Sequence, residues 1–146
     1  MRVLIVDDSL LVRERVATML SELNSGIEVV GQAGEVNEAI LATRRLKPDA
    51  VILDISMPGK TGIEALQAIT QDTPAPLVMM LTNYPYSQYR KKCLQAGADF
   101  FYDKSTEFCK VSETFRRLIQ NPSWDRCGDI CDGCSQPTFA CNRPRA

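Results

Sequence analysis

Apolar and polar positions follow two different rhythms along this chain. Short apolar runs lie at Val3 to Val6, Ile27 to Val30, Ala50 to Leu53, Leu77 to Leu81 and Phe100 to Tyr102, unbroken except for Glu28 in the second. A strand with one wet face alternates apolar and polar residues, so unbroken runs predict strands covered on both faces, as in a parallel sheet. Between the runs the spacing becomes that of helices with one apolar side. Val12, Val16, Met19, Leu20 and Leu23 share a face, away from Arg13, Glu14 and Glu22. Val36, Ala39, Ile40, Thr43 and Leu46 form a second stripe, and Ile63, Leu66 and Ile69 a third, after the turn residues Pro58, Gly59 and Gly62. Tyr86, Tyr89, Cys93 and Ala96 form a fourth stripe, closed by Gly97; Phe108, Val111, Phe115 and Leu118 form the fifth.

Strands and helices in strict alternation predict an α/β domain, a doubly wound parallel sheet with helices on both faces. An eight-stranded barrel would need far more chain. The domain is expected over residues 1 to 120, where Asn121-Pro122 breaks the last helix. Residues 121 to 146 form a cysteine-rich tail, and no internal repeat is visible.

Composition narrows the function. The 146 residues are 45% hydrophobic and 24% charged, as in a soluble globular protein, and the net charge of −1 favours neither nucleic acid nor an anionic membrane as partner. No apolar run approaches the roughly 18 residues that span a bilayer, and no signal peptide opens the chain, so a cytoplasmic location is expected. Histidine is absent. Its absence excludes Ser-His and Cys-His nucleophile pairs, His-ligated metals and an internal phosphohistidine donor.

The chemistry gathers where the apolar runs end. "VLIVDDS" closes the first run with Asp7 and Asp8, and "VILDISMPG" closes the third with Asp54. Thr82 ends the fourth in "VMMLTN", and Lys104 follows the fifth in "FFYDKS". In an open α/β sheet the functional crevice lies beyond the carboxyl ends of the strands, where strand order reverses. With the order 2-1-3-4-5, the first and third strands flank that point. Three converging carboxylates repel one another unless a cation joins them, and an all-oxygen site suits Mg²⁺. An aspartate beside the cation, with a lysine and a hydroxyl nearby, is equipped to attack phosphorus and form an acyl phosphate. Taken singly, each residue has a plainer role: Asp8 or Ser9 as a helix cap, Thr82 as a strand-end hydroxyl, Lys104 as a solvated charge. Their joint placement carries the functional reading.

The motifs "VDDS", "LDISMPGKTG", "LTN" and "GADFFYDKS", in that order, resemble the receiver domain of two-component response regulators, which has a flavodoxin-like fold. The resemblance covers residues 1 to about 120. It implies that Asp54 is the phosphoacceptor, that Asp8 binds Mg²⁺ directly and that Asp7 acts largely through water. The backbone carbonyl of Ser56 would complete the protein ligands. Thr82 and Phe101 match the switch hydroxyl and switch aromatic; Tyr102 fits the spacing to Lys104 less well. The implied protein is a phosphorelay signalling module rather than an enzyme with its own substrate. Its donor would be a sensor histidine kinase or phosphotransfer protein, and its output a contact with an effector protein. Phosphorylation would bias a surface formed by the fourth helix, fifth strand and fifth helix. That surface includes "NYPYSQYRKK", residues 83 to 92, with Tyr84 as the expected partner contact and Tyr89 expected to pack inward.

Receivers of this type often precede a helix-turn-helix domain, for which the remaining 26 residues are too few. A stand-alone receiver is therefore expected. The tail runs Cys127-x3-Cys131-x2-Cys134-x6-Cys141. In a reducing compartment this spacing points first to Zn²⁺ held by four thiolates, next to an iron–sulfur cluster, and otherwise to free or redox-active thiols. Cys93 and Cys109 are read as core residues. Two alternatives stand beside the phosphorelay: a metal- or redox-sensing regulator with the tail as input, and a transcription regulator that has lost its helix-turn-helix domain. Direct DNA contact by the tail is disfavoured, because Arg126, Arg143 and Arg145 are offset by Asp125, Asp129 and Asp132. A haloacid-dehalogenase-type phosphatase is also disfavoured, since "VDDSL" lacks its Asp-x-Asp signature.

Overall fold

The computed structural model describes residues 1–23, 26–57, 59–72, 75–83 and 87–120. Within them strand and helix alternate as β1 (Arg2–Val6), α1 (Leu10–Glu22), β2 (Glu28–Ala33), α2 (Val36–Leu46), β3 (Ala50–Leu53), α3 (Gly62–Thr70), β4 (Leu77–Thr82), α4 (Ser87–Gln95), β5 (Phe100–Asp103) and α5 (Phe108–Gln120). The strands form one parallel sheet in the order β2-β1-β3-β4-β5, the flavodoxin-like arrangement. The chain first steps from β1 to β2, then reverses past β1 to β3. With right-handed crossovers this reversal sends α2, α3 and α4 to the face opposite α1.

Side-chain alternation along the strands separates two cores. Leu4, Val6, Val51, Leu53, Val78, Met80 and Phe101 face α2, α3 and α4, meeting Ala39, Leu66, Ile69 and Cys93. Val3, Ile5, Ile52, Met79 and Leu81 face α1 and α5, meeting Val16, Leu20, Val111, Phe115 and Leu118. The reading of strands covered on both faces holds for β3 and β4, every residue of which is buried, and for β1 beyond Arg2. It fails for β2, where only Ala33 is buried, and for β5, where only Phe101 is. Both are edge strands, and a helix layer covers an edge incompletely.

Local chemistry ends the helices. Ser9 caps α1, its hydroxyl accepting from the Val12 N–H at 3.4 Å. The Glu64 carboxylate reaches back to the Thr61 N–H at 3.1 Å to start α3. Gly97, at φ +110°, closes α4 as the spacing predicts, and the Ala98 N–H returns to the Cys93 carbonyl at 3.0 Å. Lys47 closes α2 in the left-handed region, ahead of Pro48. Cys109 corrects one expectation: it is exposed, while Cys93 is buried. The face of α5 that meets the sheet carries Phe108, Val111 and Phe115, and position 109 lies a quarter-turn away from it.

Candidate functional site

The carboxyl ends of β1 and β3 carry the sheet's hydrogen bonding one residue further. The Asp7 N–H donates to the Ala33 carbonyl at 3.0 Å and the Asp54 N–H to the Val6 carbonyl at 3.1 Å. Both aspartates are therefore held by backbone ladder bonds, and both are buried. Asp7 Oδ1 accepts the Ser9 N–H at 2.9 Å, closing a short turn into α1. Because Ser9 caps that helix, Asp8 is released from capping and lies exposed at the rim. Asp7, Asp8 and Asp54 each place a carboxylate oxygen within 4.8 Å of the others.

Lys104 closes the cluster from the far side. Its N–H donates to the Thr82 carbonyl at 2.8 Å, and its ammonium donates to Asp7 Oδ2 at 2.5 Å and to Asp54 Oδ2 at 3.0 Å. Burial alone would push the ammonium down, but its hydrogen bond to Asp7 and the charge of Asp54 overcome it and hold its pKa above the ordinary lysine value. Burial pushes the Asp54 carboxyl above the usual carboxylate range. Lys104 pulls it partly back, Asp7 adds to the rise, and the nearby Thr82 hydroxyl lowers it slightly.

Three carboxylates against one ammonium leave a local excess of negative charge. At an effective dielectric of about 20, two like charges about 5 Å apart repel by about 3 kcal/mol. Asp54 Oδ1 is buried and has no hydrogen-bond partner among the described residues. An unpaired buried oxygen, inside an all-oxygen cluster carrying surplus negative charge, fits a small hard dication such as Mg²⁺.

The remaining rim residues fall as the strand alternation dictates. Thr82 is fully buried at the end of β4. Phe101 is buried on the α4 face, and the Arg90 guanidinium of α4 lies 5.8 Å from its ring centroid. Tyr102 points to the other face, where its hydroxyl lies 2.7 Å from Thr114 Oγ1. Ser56 is exposed in the loop after Asp54, between the buried Ile55 and Met57. Tyr89 is half-buried against the core, as expected, whereas Tyr84 and Tyr86 lie outside the described residues. So do Cys127, Cys131, Cys134 and Cys141.

Two contacts at the site were not legible in the sequence. A Cβ on Gly62 would stand 1.8 Å from the Asp54 carbonyl oxygen, so α3 can start against the loop after Asp54 only with glycine there. Expected as a turn residue, Gly62 is instead the first residue of α3. Arg13, read as simply polar, turns back so that its Nη1 donates to the Asp7 carbonyl at 2.6 Å.

Comparison with known proteins agrees with this geometry. The family model of the response regulator receiver domain matches residues 3–116. Response regulator GacA of Pseudomonas viridiflava is 35% identical over 118 residues, covering 81% of this chain and 55% of that protein. A protein-glutamate methylesterase/protein-glutamine glutaminase of Idiomarina loihiensis is 38% identical over 107 residues, 73% of this chain and 28% of that enzyme. Among solved structures, a two-component response regulator of the LuxR family from an Aurantimonas species superposes with a TM-score of 0.74 at 31% identity. That match covers 82% of this chain and 85% of the other.

The fold, the carboxylate cluster and these matches define a signalling module built around an acidic rim. The chain belongs to the response regulator receiver family of two-component systems. It spans about half the length of the curated response regulators it matches. Receivers of this family also adjoin enzymes, as the methylesterase match indicates. The matches do not favour a metal- or redox-sensing regulator over the phosphorelay reading. Among the described residues, no helix is long and apolar enough to cross a membrane.

Proposed function

We propose that this protein accepts a phosphoryl group on Asp54 from a histidine kinase or phosphotransfer protein and signals through contacts of its α4–β5–α5 face. The observation that carries the proposal is the buried, unpaired Oδ1 of Asp54 within a cluster of three carboxylates closed by Lys104. Asp8, Asp54 and the Ser56 carbonyl would hold Mg²⁺ directly. Asp7 would act through water, because the Ser9 N–H and Lys104 already engage both its carboxylate oxygens. When bound, the ion offsets the repulsion among the carboxylates and the charge of the phosphoryl oxygens.

An oxygen of Asp54 attacks phosphorus in line with the bond to the donor imidazole. The P–N bond breaks, the electron pair leaves with the imidazole nitrogen, and an acyl phosphate remains on Asp54. Lys104, already 3.0 Å from Asp54 Oδ2, is placed to meet the transferred oxygens as charge shifts onto them. The acyl phosphate then offers new acceptors to the Thr82 hydroxyl. Movement of Thr82 towards them frees volume for Phe101, which lies under Arg90 of α4. The partner-facing surface thereby changes with the charge on Asp54.

Labelling by a small acyl-phosphate donor with Mg²⁺, followed on a phosphate-affinity gel, tests the assignment. Wild type should label, Asp54→Asn should not, and Asp8→Ala should label weakly. Undiminished labelling of Asp54→Asn would move the phosphosite elsewhere. In the same samples, Thr82→Ala should accept phosphate without the change in hydrogen exchange over residues 83 to 104 that wild type undergoes.

A further inference from the structure

The turn between β1 and α1 carries two of the three clustered carboxylates, yet it lies beyond both elements. Its Asp7 peptide is pinned from several directions. The N–H donates to Ala33, Oδ1 accepts from Ser9, Oδ2 accepts from Lys104, and the carbonyl accepts from Arg13 Nη1 at 2.6 Å. Arg13 is itself anchored, its Nε donating to Gln32 Oε1 of β2 at 3.2 Å. The guanidinium thus ties the turn to the neighbouring edge strand. Gly34 makes room for it: a Cβ there would lie 3.0 Å from Arg13 Nη1 and 3.9 Å from the Asp7 carbonyl oxygen.

The Asp7 carbonyl belongs to the peptide that joins Asp7 to Asp8. Rotating that peptide would swing the exposed Asp8 carboxylate relative to the two buried ones, whose positions the strand ladder holds. We infer that Arg13 is a positioning residue for the cation site, fixing the Asp7–Asp8 peptide so that the Asp8 carboxylate stays in the cluster. This inference rests on the reading of the cluster as a Mg²⁺ site. Arg13 acts through the carbonyl and does not itself touch the acidic oxygens or a reacting group.

The sign of its effect separates positioning from charge. A cation beside a Mg²⁺ site repels the ion, so removing the guanidinium would strengthen binding if charge alone mattered. Loss of positioning would weaken binding instead, and groups that orient a ligand are typically worth about 10–100-fold in metal affinity. Lysine keeps the charge but cannot span two acceptors with a planar fork. Gly34→Ala leaves Arg13 in place and only displaces its guanidinium.

Calorimetric titration of the full chain with Mg²⁺ tests this, with Asp8→Asn as the background and melting in chelator as the control for folding. Arg13→Gln should weaken Mg²⁺ binding about tenfold. Arg13→Lys should fall between Arg13→Gln and wild type, and Gly34→Ala should weaken binding less than Arg13→Gln. Acyl-phosphate labelling of Arg13→Gln should recover at saturating Mg²⁺, because the chemistry downstream of the ion is untouched. Unchanged or tighter Mg²⁺ binding by Arg13→Gln would overturn the inference. If that variant melts early in chelator, Gly34→Ala decides, and wild-type affinity there would overturn it equally. Wild type that binds no more Mg²⁺ than Asp8→Asn would instead remove the cation site itself, and the role of Arg13 with it.

Discussion

The two ends of this sheet treat their aspartates in opposite ways. At the amino end, Asp49 accepts the Arg2 N–H at 2.8 Å and returns its own N–H to the Arg2 carbonyl at 2.8 Å. Asp99 accepts the Val78 N–H at 2.9 Å and returns its N–H to the Val78 carbonyl at 2.8 Å. Each carboxylate there binds a neighbouring strand through a backbone donor, as a structural clasp would. At the carboxyl end, Asp7 also takes one backbone donor, from Ser9, but Asp7 and Asp54 share one lysine and Asp8 is exposed. Backbone donors hold a carboxylate permanently. A cluster neutralised by one side chain leaves room for the cation and phosphoryl group proposed above, and its residual repulsion lowers stability. One end of the sheet is clasped by backbone donors, while the other keeps an excess of carboxylate charge, as the proposed phosphoryl exchange requires.

The largest difference between the two ends is expected at glycine. Gly62→Ala should destabilise by about 3 kcal/mol, since the new methyl meets the Asp54 backbone and not a movable side chain. Gly26, at the amino end, has φ +80° and nothing among the described residues within 4 Å of a built Cβ, so Gly26→Ala should cost only about 1 kcal/mol of left-handed backbone strain. Urea unfolding of both variants checks the pair, and equal losses would mean that the carboxyl rim is not the tighter packing.

Aspartate replacements sharpen the comparison further, with smaller effects of opposite sign. Asp99→Ala removes the acceptor for a buried N–H and should cost about 1–3 kcal/mol. Asp54→Asn, measured in chelator, should raise stability by about 1 kcal/mol, because an uncharged amide ends the repulsion. The pH dependence follows from the raised pKa of Asp54. Its protonated form is favoured by folding, so that contribution is complete below the unfolded value of 3.8 and is lost as pH rises through the folded one. The advantage of Asp54→Asn should therefore be absent in acid and grow as pH rises. An advantage independent of pH would trace it to something other than ionisation.

The smallest effect concerns reactivity and not stability. Burial pushes the Cys93 thiol up to about 11, while Cys109 is exposed on α5. Brief alkylation at neutral pH followed by peptide mapping should modify Cys109 and spare Cys93 until the protein unfolds. Equal rates would place Cys93 outside the core.

Much of this molecule was legible in its residues. Covered strands need apolar side chains at successive positions, so Ala50 to Leu53 could be bounded to the residue. Strand ends then located Asp7, Asp8, Asp54, Thr82 and Lys104 along the chain, and Gly97 marked a helix end because its backbone angle disfavours other residues. Which strands lie at the edges was decided by tertiary structure: Val29 and Val30 read as core, yet half-exposed positions in β2 follow from having no strand beyond it. Convergence of the carboxylates on Lys104 also required the sheet, which brings position 104 to position 54. So did the contact of Gly62 with Asp54 and the return of Arg13 to the Asp7 carbonyl. Periodicity reports which side of an element is apolar, because solvent acts on every residue locally. It carries no information about which distant backbone atom a side chain or a missing side chain will meet, since that depends on elements that only folding brings together.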